Sequence, residues 1–279
     1  MNIDKPLMSQ VDALIIGGAS LDTLHIGGQI FIAPGGAGLY TALAARRAGA
    51  HVVLFAPRPD PMPEPLQPAA EGLVWLGPAI IPDAIPRLEI AHHGGGRATL
   101  VNASWGALQS LIPNVFPPDL PPAHIAHIAA LPTANQQLAF IEACRARGTP
   151  RISAGTYAWL VSSDRRGVRA VFDAADLFFM NENEANLLFS SVDAARARPG
   201  QILFVTLGER GAQVIQSEDV IHVSGQPAVE LDPTGAGDTF CGAVLAGLAR
   251  GEKVEDAARA GVALAAEMIG AVGPARLMQ

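Results

Sequence analysis

Lysine is nearly missing from this chain: Lys5 and Lys253 are the only two in 279 residues. No G-x-x-x-x-G-K-[ST] run occurs, which excludes a P-loop nucleotide site. Cysteine is scarce as well. Cys144 and Cys241 lie far apart, and with no secretory leader in view they are expected to be reduced and buried. Positive charge is in deficit, with a formal net charge of −7. That speaks against a nucleic-acid footprint. It does not speak against phosphate, which backbone N–H groups bind without any lysine. No apolar run is long enough to span a bilayer, and the opening MNIDKPLMSQ is polar. The chain is expected to be cytoplasmic, with neither nucleic acid nor membrane as a partner. Repeats and low-complexity segments are absent, apart from a proline-rich stretch at 57–68 that reads as loop.

What is present is a hydrophobic fraction of 49%, enough for one sizeable α/β core, and a regular alternation of strand-like and helix-like segments. Ala13–Gly17, His51–Ala56 and Gly72–Leu76 read as buried strands. From Ala123 onward strands at HIAHIAA, 151–153, 177–180 and 201–207 alternate with helices at 134–147 and 167–174. That order predicts a mainly parallel sheet with right-handed crossovers, with ligands at the carboxyl ends of its strands. Thr23–Ala33 reads as a hairpin, as do Arg87–His92 and Ala98–Ala103 around the glycines 94–96. A further hairpin is expected at 213–216 and 220–223, and an Ala-rich helix at 261–272. His124 and His127 are three apart in a strand and face opposite ways, so they make poor joint metal ligands. The pair His92-His93 reads as structural.

The stretch with most chemistry in it is Leu231–Arg250, LDPTGAGDTFCGAVLAGLAR. Turn residues Asp232-Pro233-Thr234 lead through Gly235-Ala236-Gly237 into an apolar helix that Gly251 closes. The start of such a helix offers unpaired N–H groups and the positive end of a dipole, an anion site. Asp238 is its first charged side chain. It reads either as a helix N-cap or as a base that takes a proton from an attacking hydroxyl while the glycine turn holds a phosphoryl group. A second helix start, Pro34-Gly35-Gly36-Ala37-Gly38, precedes TALAARRAGA. Asn181 and Glu184 have the spacing of a capping box as well as the oxygen chemistry that suits Mg²⁺.

DPTGAGDTF resembles the C-terminal signature of the ribokinase-like (PfkB) carbohydrate kinases, D-T-x-G-A-G-D, with Pro233 where the family usually has Thr. The likeness continues along the chain: Asp22 after the first strand, Gly35-Gly36 before an Ala-rich helix, Asn181 and Glu184 as N-x-x-E, and Val205-Thr206-Leu207-Gly208 as V-T-L-G. It implies a three-layer α/β/α Rossmann-like domain over residues 1–279, carrying a small β-strand lid inserted at about 22–34 and 86–104. It implies an ATP-dependent phosphotransferase acting on a hydroxyl of a small sugar or polyol. Asp238 is then the general base and the amides of Gly235, Ala236 and Gly237 the anion hole. Asp22, Gly35, Gly36 and Tyr40 face the substrate. Thr206, Gly208, Asn181 and Gly273 lie by the nucleotide. Glu184 holds Mg²⁺ through water, and Asp232 with Thr234 would hold a monovalent cation such as K⁺. A homodimer through the lid is expected by the same likeness. Two departures bear on substrate. Tyr40 stands where the family commonly has Asn, either to stack on a ring or to narrow the pocket. No aspartate follows the strand at 151–153, near Ala154. A phosphosugar substrate would want clustered basic residues, and Arg97 is one candidate in the lid. A nucleoside kinase of the same fold, or a non-catalytic sugar-binding or regulatory relative, are the other readings.

Overall fold

The computed structural model describes residues 11–118, 120 and 122–279; the polar opening segment MNIDKPLMSQ lies outside them. In chain order the first half comprises β1 (Val11–Ile16), β2 (Ser20–Ile26), β3 (Gln29–Gly35), α1 (Ala37–Arg47), β4 (Val52–Phe55), β5 (Arg58–Pro59), α2 (Gln67–Gly72), β6 (Val74–Leu76), β7 (Ala79–Ile80), β8 (Arg87–Gly94) and β9 (Arg97–Ser104). The second half comprises β10 (Ala123–Ile128), α3 (Ala134–Ala146), β11 (Arg151–Gly155), α4 (Ala158–Ser163), α5 (Arg165–Ala174), β12 (Leu177–Asn181), α6 (Glu182–Phe189), β13 (Ile202–Thr206), β14 (Ala212–Gln216), β15 (Asp219–Val223), α7 (Ala236–Ala249) and α8 (Val254–Met268).

Nine strands form one sheet in the order β15-β14-β13-β12-β11-β10-β1-β4-β6. From β6 to β13 neighbouring strands run parallel, and β14 and β15 close one edge antiparallel. Alternate residues of a strand face opposite sides, and both sides here are apolar. Ala13 and Ile15 of β1 join the core made with α1, α7 and α8, while Leu14 and Ile16 join the core made with α3 and α5. The chain is therefore a three-layer α/β/α structure with a mainly parallel sheet, as expected. Fully burying each Leu, Ile or Phe contributes about 1.5–3 kcal/mol, so these two faces carry most of the fold.

A separate four-stranded sheet, β3-β2-β8-β9, forms the lid. Its two hairpins turn at Gly27-Gly28 and Gly95-Gly96, whose φ angles are all positive, the backbone that two-residue primed turns require. Strands β2 and β8, 64 residues apart at the His25–Glu89 contact, pair in parallel and join the two insertions.

Some segments depart from the sequence reading. The stretch 57–68 contains β5 and runs into α2. The short helix α4 has no side-chain N-cap to announce it. The last helix is α8, 254–268, earlier than the 261–272 expected. It stops because Ile269 turns its carbonyl to accept the N–H groups of Leu231 and Asp232 at 2.8 and 3.1 Å. Cys144 and Cys241 are free and buried. His124 is exposed and His127 buried, as their spacing required. No described helix is long and apolar enough to cross a membrane.

Candidate active site

At the carboxyl ends of β10 to β13 lies a cleft of about 300 Å³. Glycine shapes its floor. Gly235 caps α7 at φ 76° with no side-chain cap bond, and a Cβ there would come within 2.5 Å of the Tyr40 ring. Only glycine meets both demands. Ala236 N–H already donates to Pro233 O at 3.2 Å. The N–H groups of Gly235, Gly237 and Asp238 have no partner among the described residues, so the amides open to an anion are those of 235, 237 and 238, and Ala236 drops out of the expected set.

Asp238 does not cap the helix. It lines the cleft, and burial raises its carboxyl from 3.8 to about 7. Glu184 lines the same cleft. It makes the capping box of α6: Asn181 N–H donates to Glu184 Oε2 at 2.8 Å, Asn181 Nδ2 to Oε1 at 2.8 Å, and Glu184 N–H to Asn181 Oδ1 at 2.9 Å. Burial raises the Glu184 carboxyl to about 8 against these bonds, and the Asp238 charge adds to the rise. Two carboxylates short of compensation in one cleft suit a hydrated divalent cation. Each Glu184 oxygen keeps a lone pair for a bridging water. No cluster of three or more potential protein metal ligands exists among the described residues. Thr206 completes this wall at the end of β13. Gly208, at φ 62° in the exposed turn that follows, stays outside the cleft lining.

Asp22, Gly35, Gly36 and Tyr40 form a second group beneath the lid. Asp22 is buried on β2, and its Oδ1 accepts Leu88 N–H from β8 at 3.2 Å. Burial, helped by the charge of Asp232, raises its carboxyl to about 6. A Cβ on Gly35 would sit 1.8 Å from Asp22 Oδ2, and one on Gly36 2.5 Å from Gly18 O. Tyr40 corrects its expectation. Its ring is fully buried against Gly235, so it supports the glycine turn from below and offers no face to a substrate. Its hydroxyl has no hydrogen-bond partner among the described residues. Burial, with the charges of Asp232, Asp22 and Asp238, raises that phenol well above its ordinary range.

Asp232 is wholly buried. Its Oδ1 accepts Thr234 N–H at 2.9 Å and its Oδ2 accepts Gly273 N–H at 2.7 Å. Gly273 is thereby held beside Asp232 and Ala33, and it is not among the residues that line the cleft with Thr206. His92 of the lid places Nε2 3.2 Å from Thr234 Oγ1 and 3.4 Å from Asp232 Oδ1. With Thr234 N–H and the His92 imidazole both on Oδ1, and the same imidazole on Thr234 Oγ1, the pair Asp232 Oδ1 and Thr234 Oγ1 does not fit a monovalent cation.

The site also holds residues that the sequence did not single out. His127 lines the cleft, its Nδ1 2.7 Å from Ser153 Oγ, and burial lowers it to about 3. Thr156 and Tyr157 line the cleft with side-chain hydroxyls that lack partners among the described residues. Trp159 stacks on Tyr157 at 6.2 Å, and Trp105 packs on it at 5.5 Å. These groups stand where an aspartate was missing near Ala154. Arg97 is exposed at the lid tip, its Nε 3.5 Å from Gly94 O.

The structure thus brings together an acidic side chain on the first turn of a helix whose start leaves amides free and a second carboxyl lining the same cleft. The family model described as pfkB family carbohydrate kinase matches residues 83–279, and the chain belongs to that family. A cytidine kinase from Thermococcus kodakarensis is 28% identical over 269 residues, covering 93% of this chain and 96% of that one. Among solved structures, a probable sugar kinase from Rhizobium etli aligns with a TM-score of 0.79 at 20% identity over 96% of this chain and 95% of its own. An adenosine kinase from Sinorhizobium meliloti aligns with a TM-score of 0.80 at 20% identity over 95% and 96%.

Proposed function

We propose that this chain transfers the γ-phosphoryl group of ATP to a hydroxyl on the sugar of a small acceptor, with Asp238 as general base. The observation that carries this is the pairing of Asp238, held near pH 7 by burial, with the unpartnered N–H groups of Gly235, Gly237 and its own backbone. A base poised near neutrality accepts a proton from an alcohol most effectively at the pH of the cell. Asp238 takes the acceptor hydroxyl proton as its oxygen attacks phosphorus, and the bond to the ADP oxygen breaks in line. The helix-start amides hold the charge that gathers on the phosphoryl oxygens. Asn181, Thr206 and Glu184 face the nucleotide end of the cleft, where Glu184 would hold Mg²⁺, which would supply neutralising charge to the phosphates. Asp22, under the lid, accepts hydrogen bonds from the acceptor's other hydroxyls. The lid excludes water from the reacting oxygen.

Two sources of a sugar hydroxyl fit this chemistry, a free sugar and a nucleoside. The whole-length likeness to a cytidine kinase and the flat aromatic wall of Tyr157, backed by Trp105 and Trp159, favour the nucleoside. Stacking of a base on an aromatic ring is worth about 1–3 kcal/mol. A panel of nucleosides, pentoses, hexoses and polyols assayed for ATP-dependent ADP release separates them. A nucleoside should head the panel with ribose well behind, and the reverse order would favour a free-sugar kinase. As an edge of the lid, β3 leaves Ile30 66% and Ile32 58% exposed. Such edges are usually covered, and a second copy of the chain is the cover proposed here. Sedimentation showing a monomer at working concentration would remove the dimer.

A further inference from the structure

A buried carboxylate must have its charge met inside the protein, and Asp232 is wholly buried. Gly273 N–H and Thr234 N–H account for one bond to each oxygen. The third partner comes from the lid. His92, on β8, has a side chain only 5% exposed, and its Nε2 bridges Thr234 Oγ1 and Asp232 Oδ1. The tautomer follows from the surroundings. With its proton on Nδ1, His92 would point the Nε2 lone pair at a carboxylate oxygen 3.4 Å away, which is repulsive. With the proton on Nε2, one N–H serves both oxygens and Nδ1 is left buried without a partner, as observed. A monovalent cation bridging Asp232 Oδ1 and Thr234 Oγ1 seeks the lone pairs that this N–H uses and would have to displace it. The hairpin tip adds a second tie to this turn, since Gly96 N–H donates to Glu230 Oε1 at 2.9 Å.

We infer that His92 is a positioning residue that does the work of a monovalent cation beside Asp232. The DPTGAGD turn is completed by closure of the lid, and the protein has no use for K⁺. Thr234 leads directly into the Gly235 N-cap of α7, so fixing Thr234 and Asp232 fixes the open amides one residue further on. The lid thereby couples acceptor capture to assembly of the phosphate hole. This inference builds on the proposed function, in which that turn holds phosphate.

The test uses the ligand-free protein and needs neither nucleotide nor acceptor. Melting temperatures of the wild type, His92→Ala and His92→Gln are compared in KCl and in choline chloride at equal ionic strength. The wild type should melt at the same temperature in both salts. His92→Ala should melt lower in choline, and KCl should raise it by roughly 5 °C, the size expected for a cation present at about a hundredfold its Kd. His92→Gln retains an N–H donor and should behave as the wild type. The wild-type comparison alone decides if His92→Ala does not fold, because a KCl-dependent rise there overturns the inference. So does a His92→Ala protein identical to wild type in choline, or one whose loss KCl fails to repair, since the histidine would then only pack. Any of these results leaves phosphoryl transfer standing, whereas a silent acceptor panel would remove the transfer reading and leave the cation result intact.

Discussion

Replacing Asp238 by asparagine should stabilise the ligand-free protein above neutral pH, although it removes the proposed base. The carboxyl titrates near 3.8 in an unfolded chain and at about 7 in the folded one. Between those values the folded state holds a proton that the unfolded state has released, so the contribution of Asp238 to stability falls as pH rises from about 4 to about 7 and stays low beyond it. The full displacement corresponds to about 4 kcal/mol. Asp238 borders the cleft and keeps some exposure, and water reaching it halves that to about 2 kcal/mol. Asparagine carries no charge and forfeits no cap, because the N-cap is Gly235 and makes no side-chain bond. Thermal unfolding of both proteins from pH 4.5 to 8.5, without nucleotide or magnesium, reads the effect. The variant should melt with the wild type at pH 4.5 and about 4 °C above it at pH 8.5, at roughly 2 °C per kcal/mol for a chain of this size. A pH-independent difference, or a variant less stable at pH 8.5, would refute the claim that the carboxylate is held against its own desolvation.

Glu184→Gln removes the charge facing the cleft and leaves one oxygen to accept where the α6 cap uses two. The Mg²⁺ dependence of ADP release should move to higher concentration, and an unshifted magnesium profile would reduce Glu184 to its capping role. Asp22→Ala should raise KM for the acceptor at least about tenfold, the worth of a hydrogen bond to a charged group, and leave KM for ATP close to wild type. Equal effects on both would detach Asp22 from the acceptor.

The parts of this site that could be read from sequence are those in which one short segment carries both the fold signal and the chemistry. Ala13–Gly17 announces a buried strand, and Asn181 to Glu184 announces a helix cap; the glycines of 235–237 require an open backbone at a helix start. Each needs only neighbouring residues. His92 meets Thr234 across 142 positions, and nothing near HHGGGR in the chain indicates that contact. His127 sits inside a strand like any buried residue. Its role at the cleft depends on Ser153 from the next strand and on the space beside Gly155, whose Cβ would lie 3.7 Å from the ring. Tyr40 was legible as an unusual residue at a helix start, but its position under Gly235 depends on α1 packing against α7. The same holds for Gly273, whose place is set by Asp232 and by the carbonyl of Ile269 that ends α8.

The most direct test of the account is turnover by Asp238→Asn with the best acceptor from the panel. General-base catalysis is worth roughly 10²–10⁴-fold, so kcat should fall by about that factor while KM for ATP stays the same or drops, a negative charge near the γ-phosphate having gone. Turnover near the wild-type rate would contradict the assignment of Asp238 as the base.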